Sequence, residues 1–257
     1  VYATTSTVVV GDDGTALVVD PGVTAHEVAG LSAAIAQRGW RPVAVWSTHG
    51  HWDHVLDGPG LHGLVRWRGG PARDVDAGWH AAVVRERDAD GPLTAAVRAA
   101  ASVGQDDGPP EVAPIPPVPF PRRGTDHLDW SGPDVVVVEH AAHAPDHAAL
   151  VVVHARVLLC GDLLSDREVP LLDTDADDPV ADYRAALDLL EETADAFDVE
   201  TVVPGHGTPG DRAELDRRLD ADRAYLDALA GGGSDDPRLA EPWVADAHAA
   251  QVAALGG

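Results

Sequence analysis

Four side chains able to ligate a metal crowd into the segment Thr48-His-Gly-His-Trp-Asp-His54: His49, His51, Asp53 and His54. Three imidazoles and a carboxylate this close together cannot all enter an apolar core without large desolvation costs. They can share divalent cations, because neutral imidazole and carboxylate oxygen suit zinc, manganese and iron. The preceding run, Pro42-Val-Ala-Val-Trp-Ser47, reads as a buried strand, so the cluster falls just past a strand's carboxyl end. Open α/β sheets place their sites there. A histidine-rich surface loop is the bland alternative, and the spacing argues against it.

Further along, three more residues repeat the arrangement of a strand followed by a small-residue turn. His143 lies in Glu139-His-Ala-Ala-His-Ala-Pro-Asp-His147, after the apolar run Val135 to Val138. Asp162 follows Val157-Leu-Leu-Cys-Gly161, and His206 follows Thr201-Val-Val-Pro-Gly205. Glycines beside the ligands (Gly50, Gly161, Gly205, Gly207) let the backbone bend and approach closely. Turns of this kind can converge on one sheet edge.

With these residues in view, the chain resembles the metallo-β-lactamase-fold superfamily. A leading hairpin with an Asp-Pro-Gly turn (Thr7 to Gly22), the His-x-His-x-Asp-His signature, and then His143, Asp162 and His206 occur in the family's order. The resemblance covers about residues 1–230 and has a glyoxalase II-like ligand set. It implies an αβ/βα four-layer sandwich of two mixed β-sheets in the α/β class. It also implies two metal sites. His49, His51 and His143 would hold the first ion, Asp53, His54 and His206 the second, and Asp162 would bridge them. Six terminal ligands and one bridging carboxylate leave open positions for a hydroxide and a substrate oxygen, as catalytic sites require and structural ones do not.

The remaining histidines receive blander readings. His147, four residues after His143, matches a position that is often histidine in hydrolytic relatives and is expected to support ligands instead of ligating. His140 could alternatively supply the third imidazole, although only His143 sits in the small-residue turn. His26, His62, His80, His127, His154 and His248 lack partners in sequence and are expected to be solvated or core residues. Trp52, between ligands, could pack beneath the site or line its mouth.

Composition bounds the rest. A chain of 257 residues is long enough for one large α/β domain. Its formal net charge of −25 repels phosphate backbones and anionic membrane surfaces, so neither a nucleic acid nor a membrane is expected as a partner, only a small-molecule substrate. No run approaches the roughly 18 apolar residues of a membrane helix. The N-terminus enters a strand pattern at once, without the look of a signal peptide. Cys160 is the only cysteine, which excludes an intramolecular disulfide and suits a small hydrophobe in a buried strand. A cytoplasmic location is the economical expectation.

The coarse pattern alternates strands and helices in two passes. Thr7–Val10 and Thr15–Val19 flank Gly-Asp-Asp-Gly, a hairpin signal. Thr24 and Glu27 form a capping box for a helix burying Val28, Leu31 and Ile35. Asp178-Pro179 starts a helix that buries Val180, Tyr183, Leu187, Leu190, Ala194 and Phe197. Asp211 and Glu214 cap another, with Leu215, Leu219, Leu226 and Leu229 as its stripe. The metallo-hydrolase domain is expected over 1–230, followed by a flexible break and a short C-terminal helix within 231–257. Between His54 and His143 the chain is longer than two strands and a helix demand. Gly108 to Pro121 holds seven prolines and is expected to be extended. With Trp67, Trp79 and Trp130, this insertion (105–124) is a candidate lid over the metal cleft.

The expected activity is that of a binuclear metal-dependent hydrolase. Two divalent ions, with zinc the first choice and iron or manganese as alternatives, would share a bridging hydroxide that attacks a small ester, thioester or lactone. Asp53 would be the catalytic carboxylate that orients this hydroxide and passes its proton to the leaving group. A bridging Asp162, where β-lactamases of the superfamily usually carry Cys or Ser, argues against antibiotic hydrolysis. The absence of lysine argues against a close match to glyoxalase II. Asp162-Leu-Leu-Ser-Asp lacks the nearby tyrosine typical of the homoserine-lactone lactonases. Other classes in view are a mononuclear iron enzyme like persulfide dioxygenases, a β-lactamase, and a non-catalytic member, which commonly loses ligands that this chain keeps.

Overall fold

In the computed structural model of the chain, residues 3–56, 58, 60–70, 81–86, 117–231 and 233–256 are described. The chain divides into two compact units, Val1–Pro133 and Asp134–Gly257.

The first unit opens on a hairpin of β1 (Thr7–Val10) and β2 (Thr15–Val19), antiparallel with Thr7 opposite Val19. Gly14, at φ +78°, closes the turn, and the Asp13 carboxylate accepts from the Thr15 amide and hydroxyl. Helix α1 (Ala25–Gln37) begins with the expected box: Thr24 accepts from the Glu27 amide, and Glu27 accepts from the Thr24 amide. It lays Val28 and Ile35 against Val18, Val45 and Leu61. That crossover makes β3 (Arg41–Trp46) parallel to β2, as a parallel pair requires. Two further parallel strands, β4 (Val65–Arg68) and β5 (Val118–Pro119), complete a mixed sheet ordered β1–β2–β3–β4–β5. A small hairpin of β6 (Arg122–Arg123) and β7 (His127–Leu128) follows.

Only part of the candidate lid falls among the described residues. Residues 105–116 and Trp79 lie outside the described residues. The end of the proline-rich stretch is extended, as expected, but it is a strand of the sheet, and Phe120 packs on Trp46 with ring centroids 5.5 Å apart. Trp67 belongs to β4, while Trp130 donates to the Pro133 carbonyl.

In the second unit β8 (Val135–Glu139), β9 (Ala148–Val152) and β10 (Val157–Gly161) form an antiparallel meander. Helix α2 (Pro179–Ala196) carries the chain to β11 (Thr201–Pro204), parallel to β10, and β12 (Gly210–Asp211) adds antiparallel to β11. Helices α3 (Arg212–Ala230) and α4 (Pro242–Leu255) close the unit. Asp178 caps α2 through the Ala181 amide, and the expected stripe is buried at Tyr183, Leu187, Leu190 and Ala194. Val180 and Phe197 are only half-buried at its ends. Asp211 caps α3 through the Glu214 amide, but Glu214 turns forward to Arg217 and Arg218 instead of closing a box. Cys160 lies in the core of β10 as a small hydrophobe, and burial pushes its thiol well up.

Both sheets are mixed and flanked by helices, in the α/β class expected from the sequence. Among the described residues no helix is long and apolar enough to cross a membrane.

Candidate metal centre

The ligand-capable residues of the first unit sit in the loop directly past β3. His49 and His54 are fully buried, Asp53 nearly so, and His51 half-buried. Two charged side chains from the flanking strands hold this loop. Asp20, just past β2, accepts from the Thr48 amide at 3.0 Å and the Thr48 hydroxyl at 2.8 Å, and its other contact is His54 Nδ1 at 3.1 Å. Arg66, on β4, donates to the carbonyls of His54 and Leu56, while Ser47 also donates to the His54 carbonyl. Trp52 turns into an apolar cluster with Val23, Val55, Leu56 and Val83, so it packs as an anchor of the loop. Asp20 and Arg66 escaped the sequence reading. An isolated acid in an Asp-Pro-Gly turn, or an arginine in a short strand, carries no spacing signal that separates it from a solvated charge.

The loop brings ligand atoms into pairs. His49 Nε2 and His51 Nδ1 lie 3.0 Å apart, and His54 Nε2 is 3.6 Å from an Asp53 oxygen. Two nitrogens on one tetrahedral zinc stand roughly 3.3 Å apart, given Zn–N bonds near 2.0–2.1 Å. The carboxylate of Asp20 holds the proton of His54 on Nδ1 and leaves the Nε2 lone pair for a cation.

Strand directions explain the second unit. β9 runs antiparallel to both β8 and β10, so β8 and β10 are parallel to each other, and β11 is parallel to β10. The three strands therefore end at one sheet edge, where His143, Asp162 and His206 follow them. The start of β9 lies at the same edge, which places His147 there too. One oxygen of Asp162 lies 3.5 Å from His143 Nε2 and 3.3 Å from His206 Nε2. A single carboxylate oxygen thus faces two imidazoles that the family resemblance assigns to different ions.

The supporting contacts are specific. His143 Nδ1 donates to the Leu171 carbonyl at 2.7 Å, which again leaves the Nε2 lone pair available to a cation. His206 Nδ1 faces Glu168 at 3.7 Å, and Ser165 donates to the His206 carbonyl at 2.6 Å. His147 Nε2 accepts from the Asp162 amide at 3.2 Å, and its Nδ1 pairs with His140 Nε2 at 3.1 Å. His147 thus faces the Asp162 amide, and His143 rather than His140 faces the Asp162 carboxylate. His140 stacks on His147, and desolvation, with the nearby His143, lowers its pKa to about 3. At Gly207, φ +127°, a side chain would collide with the Asp166 carboxylate, which accepts from the Thr208 amide and hydroxyl. Hence the turn after His206 needs glycine.

Among the described residues, the side chains that could hold a metal ion are His49, His51, Asp53 and His54 in the first unit and His143, Asp162 and His206 in the second. Their chemistry fits a borderline divalent cation: five imidazoles, two carboxylates, and in His54 and His143 an Nδ1 already committed to an acceptor. A family model for the metallo-beta-lactamase superfamily matches residues 1–206, ending on the last of these residues. The chain belongs to the metallo-beta-lactamase superfamily. Solved members of this superfamily share its fold at low identity. DIM-1 metallo-beta-lactamase is 15% identical with a TM-score of 0.56, over 87% of this chain and 88% of that one. The BLEG-1 B3 metallo-beta-lactamase is 17% identical with a TM-score of 0.53, over 84% of this chain and 91% of that one. A metallo-beta-lactamase from Erythrobacter litoralis is 17% identical with a TM-score of 0.55, over 84% and 83%. No curated protein matches the chain.

Proposed function

We propose that this superfamily member is a binuclear metal-dependent hydrolase acting on a small ester, thioester or lactone. In this reading His49, His51 and His143 hold one divalent ion, Asp53, His54 and His206 hold the other, and Asp162 is shared by both. Zinc is the proposed metal. The observation that carries the reading is the Asp162 oxygen lying within 3.5 Å and 3.3 Å of two imidazole nitrogens, as a shared carboxylate must. Family membership across residues 1–206 supports it, since that span includes all seven residues.

When bound, such a metal pair acidifies water toward neutrality and polarises a carbonyl oxygen. The protein's own groups do the rest. Asp53, nearly buried and beside His54, orients the attacking water, takes its proton and delivers it to the departing oxygen or sulfur. Asp20 and the Leu171 carbonyl keep His54 and His143 in the tautomer that presents Nε2. Arg66 and Trp52 hold the loop carrying Asp53 at its donor geometry, so little reorganisation is needed during turnover. Bridging by aspartate in place of the Cys or Ser usual in β-lactamases supports esters, thioesters and lactones over antibiotics as substrates.

The test is elemental analysis of protein purified without added metal, followed by a screen of esters, thioesters and lactones. Two zinc ions per chain and turnover in that screen are expected. One iron per chain would favour dioxygenase-like chemistry, and metal-free protein that binds none on titration would overturn the proposal.

A further inference from the structure

The segment after residue 206 lies beyond the family match, yet it reaches the candidate ligands through one buried amide. We propose that Gln251, on α4, is a positioning residue for His143, which makes the C-terminal helix a working part of the metal centre; this rests on reading His143 as a ligand. Gln251 is 6% exposed. Its Nε2 donates to the Pro170 carbonyl at 3.0 Å, and its Oε1 accepts from the Leu172 amide at 3.1 Å. Between these two residues, the Leu171 carbonyl accepts from His143 Nδ1. One side chain therefore fixes the backbone on both sides of the carbonyl that holds the imidazole.

The chemistry requires an amide. The site presents a carbonyl and an N–H to the same side chain, so it needs a donor and an acceptor a few ångströms apart. Methionine fills the same volume and offers neither. Ionised glutamate would set an oxygen against the Pro170 carbonyl. The orientation is further fixed because Gln251 Nε2 also donates to the Tyr225 hydroxyl at 2.5 Å, which pairs with His248 Nδ1 at 2.7 Å. Val244 buries the start of the same helix in the core of the unit. A second tie reaches the same stretch of chain: Arg238 donates to the Ser165 and Glu168 carbonyls and to Asp222. The stretch between Asp162 and α2 is thus braced from the C-terminal segment at two points. Outer partners of metal-ligating histidines fix ring orientation, and their loss typically weakens metal binding about 10–100-fold.

The experiment compares wild type, Gln251→Met, Gln251→Glu and His143→Ala in zinc affinity, by competition with a chromophoric chelator, and in the visible spectrum of the cobalt(II)-loaded proteins. Gln251→Met and Gln251→Glu should weaken one of the two zinc sites about 10–100-fold and shift the cobalt bands of that site, with far-ultraviolet circular dichroism unchanged. A purely structural tie would lower thermal stability and leave affinity and spectrum alone, which would overturn the inference. If His143→Ala keeps both metals at wild-type affinity, the ligand reading fails, a separate result. Should the Gln251 variants not fold, Tyr225→Phe removes one partner of the amide; a loss of at least about twofold in affinity is expected, and none would overturn the inference.

Discussion

In the first unit four ligand-capable side chains hang from one loop past β3, whereas in the second three hang from separate loops past β8, β10 and β11. The first arrangement is local. Chain connectivity alone keeps His49, His51, Asp53 and His54 close, and the fold only has to choose their directions, through Asp20 and Arg66. The second arrangement depends on strand order. Asp162 meets both His143 and His206 because β10 pairs with β11 and is parallel to β8 across β9. The orienting groups differ in the same sense. A carboxylate side chain holds His54, and a backbone carbonyl holds His143. Only the first can be deleted by a single substitution; the second is reached only through whatever holds the backbone.

The largest effects should come from the proposed ligands. Under the proposed two-metal reading, Asp162→Ala should strip both ions because its carboxylate is shared between them, while His51→Ala should remove only one. Turnover should fall in both, and in Asp53→Ala, well beyond the roughly 10–100-fold loss expected of an outer partner. Metal content equal to wild type in Asp162→Ala would break the contrast between a shared and an unshared ligand.

Next in size is Asp20→Ala. It removes the acceptor for the Thr48 amide, the Thr48 hydroxyl and His54 in a fully buried position. Leaving these buried donors without an acceptor costs about 1–3 kcal/mol each, so the urea midpoint of unfolding should drop sharply, and the affinity for an added divalent metal with it. A wild-type midpoint would show that the first unit's loop does not need its carboxylate.

Helix caps offer a smaller, symmetrical comparison. Thr24 caps α1 in the first unit and Asp178 caps α2 in the second, each through one backbone amide. Replacing either with alanine should cost about 1 kcal/mol in urea unfolding. Unequal losses would show that α1, with its reciprocal Glu27 bond, is the more strongly capped of the two.

The smallest effect concerns pH. The Arg217 guanidinium, helped by Arg218, lowers the Glu214 carboxyl from 4.5 to about 2. A carboxylate lowered in the folded state binds fewer protons there than in the unfolded chain. Its stabilisation is complete above pH 4.5 and is lost as pH falls from 4.5 toward 2. Glu214→Gln should therefore flatten the acid limb of the stability curve in that window. Because the pair is partly solvated, the change should stay under about 1 kcal/mol. An unchanged acid limb would assign acid sensitivity to other groups.

Much of this protein is readable in its sequence. The hairpin at Gly11 to Gly14, the Thr24–Glu27 box and the Asp178-Pro179 helix start are local signals and form where they are written. The ligand candidates were readable because imidazole and carboxylate at tight spacing past strands have few other uses. What was hidden are the groups that orient them. Asp20, Arg66, Glu168, the Leu171 carbonyl and Gln251 have no spacing relation to the histidines they serve.

Sequence alone determined the alternation of strands and helices, the identity of the metal-capable residues and their position past strand ends, because periodicity and side-chain chemistry are local. Tertiary structure alone decided which nitrogen each histidine presents and which backbone carbonyl or distant amide holds it. Those outcomes depend on hydrogen bonds a few ångströms long between residues up to about 80 positions apart, from Pro170 and Leu172 to Gln251, and only the folded chain sets such distances.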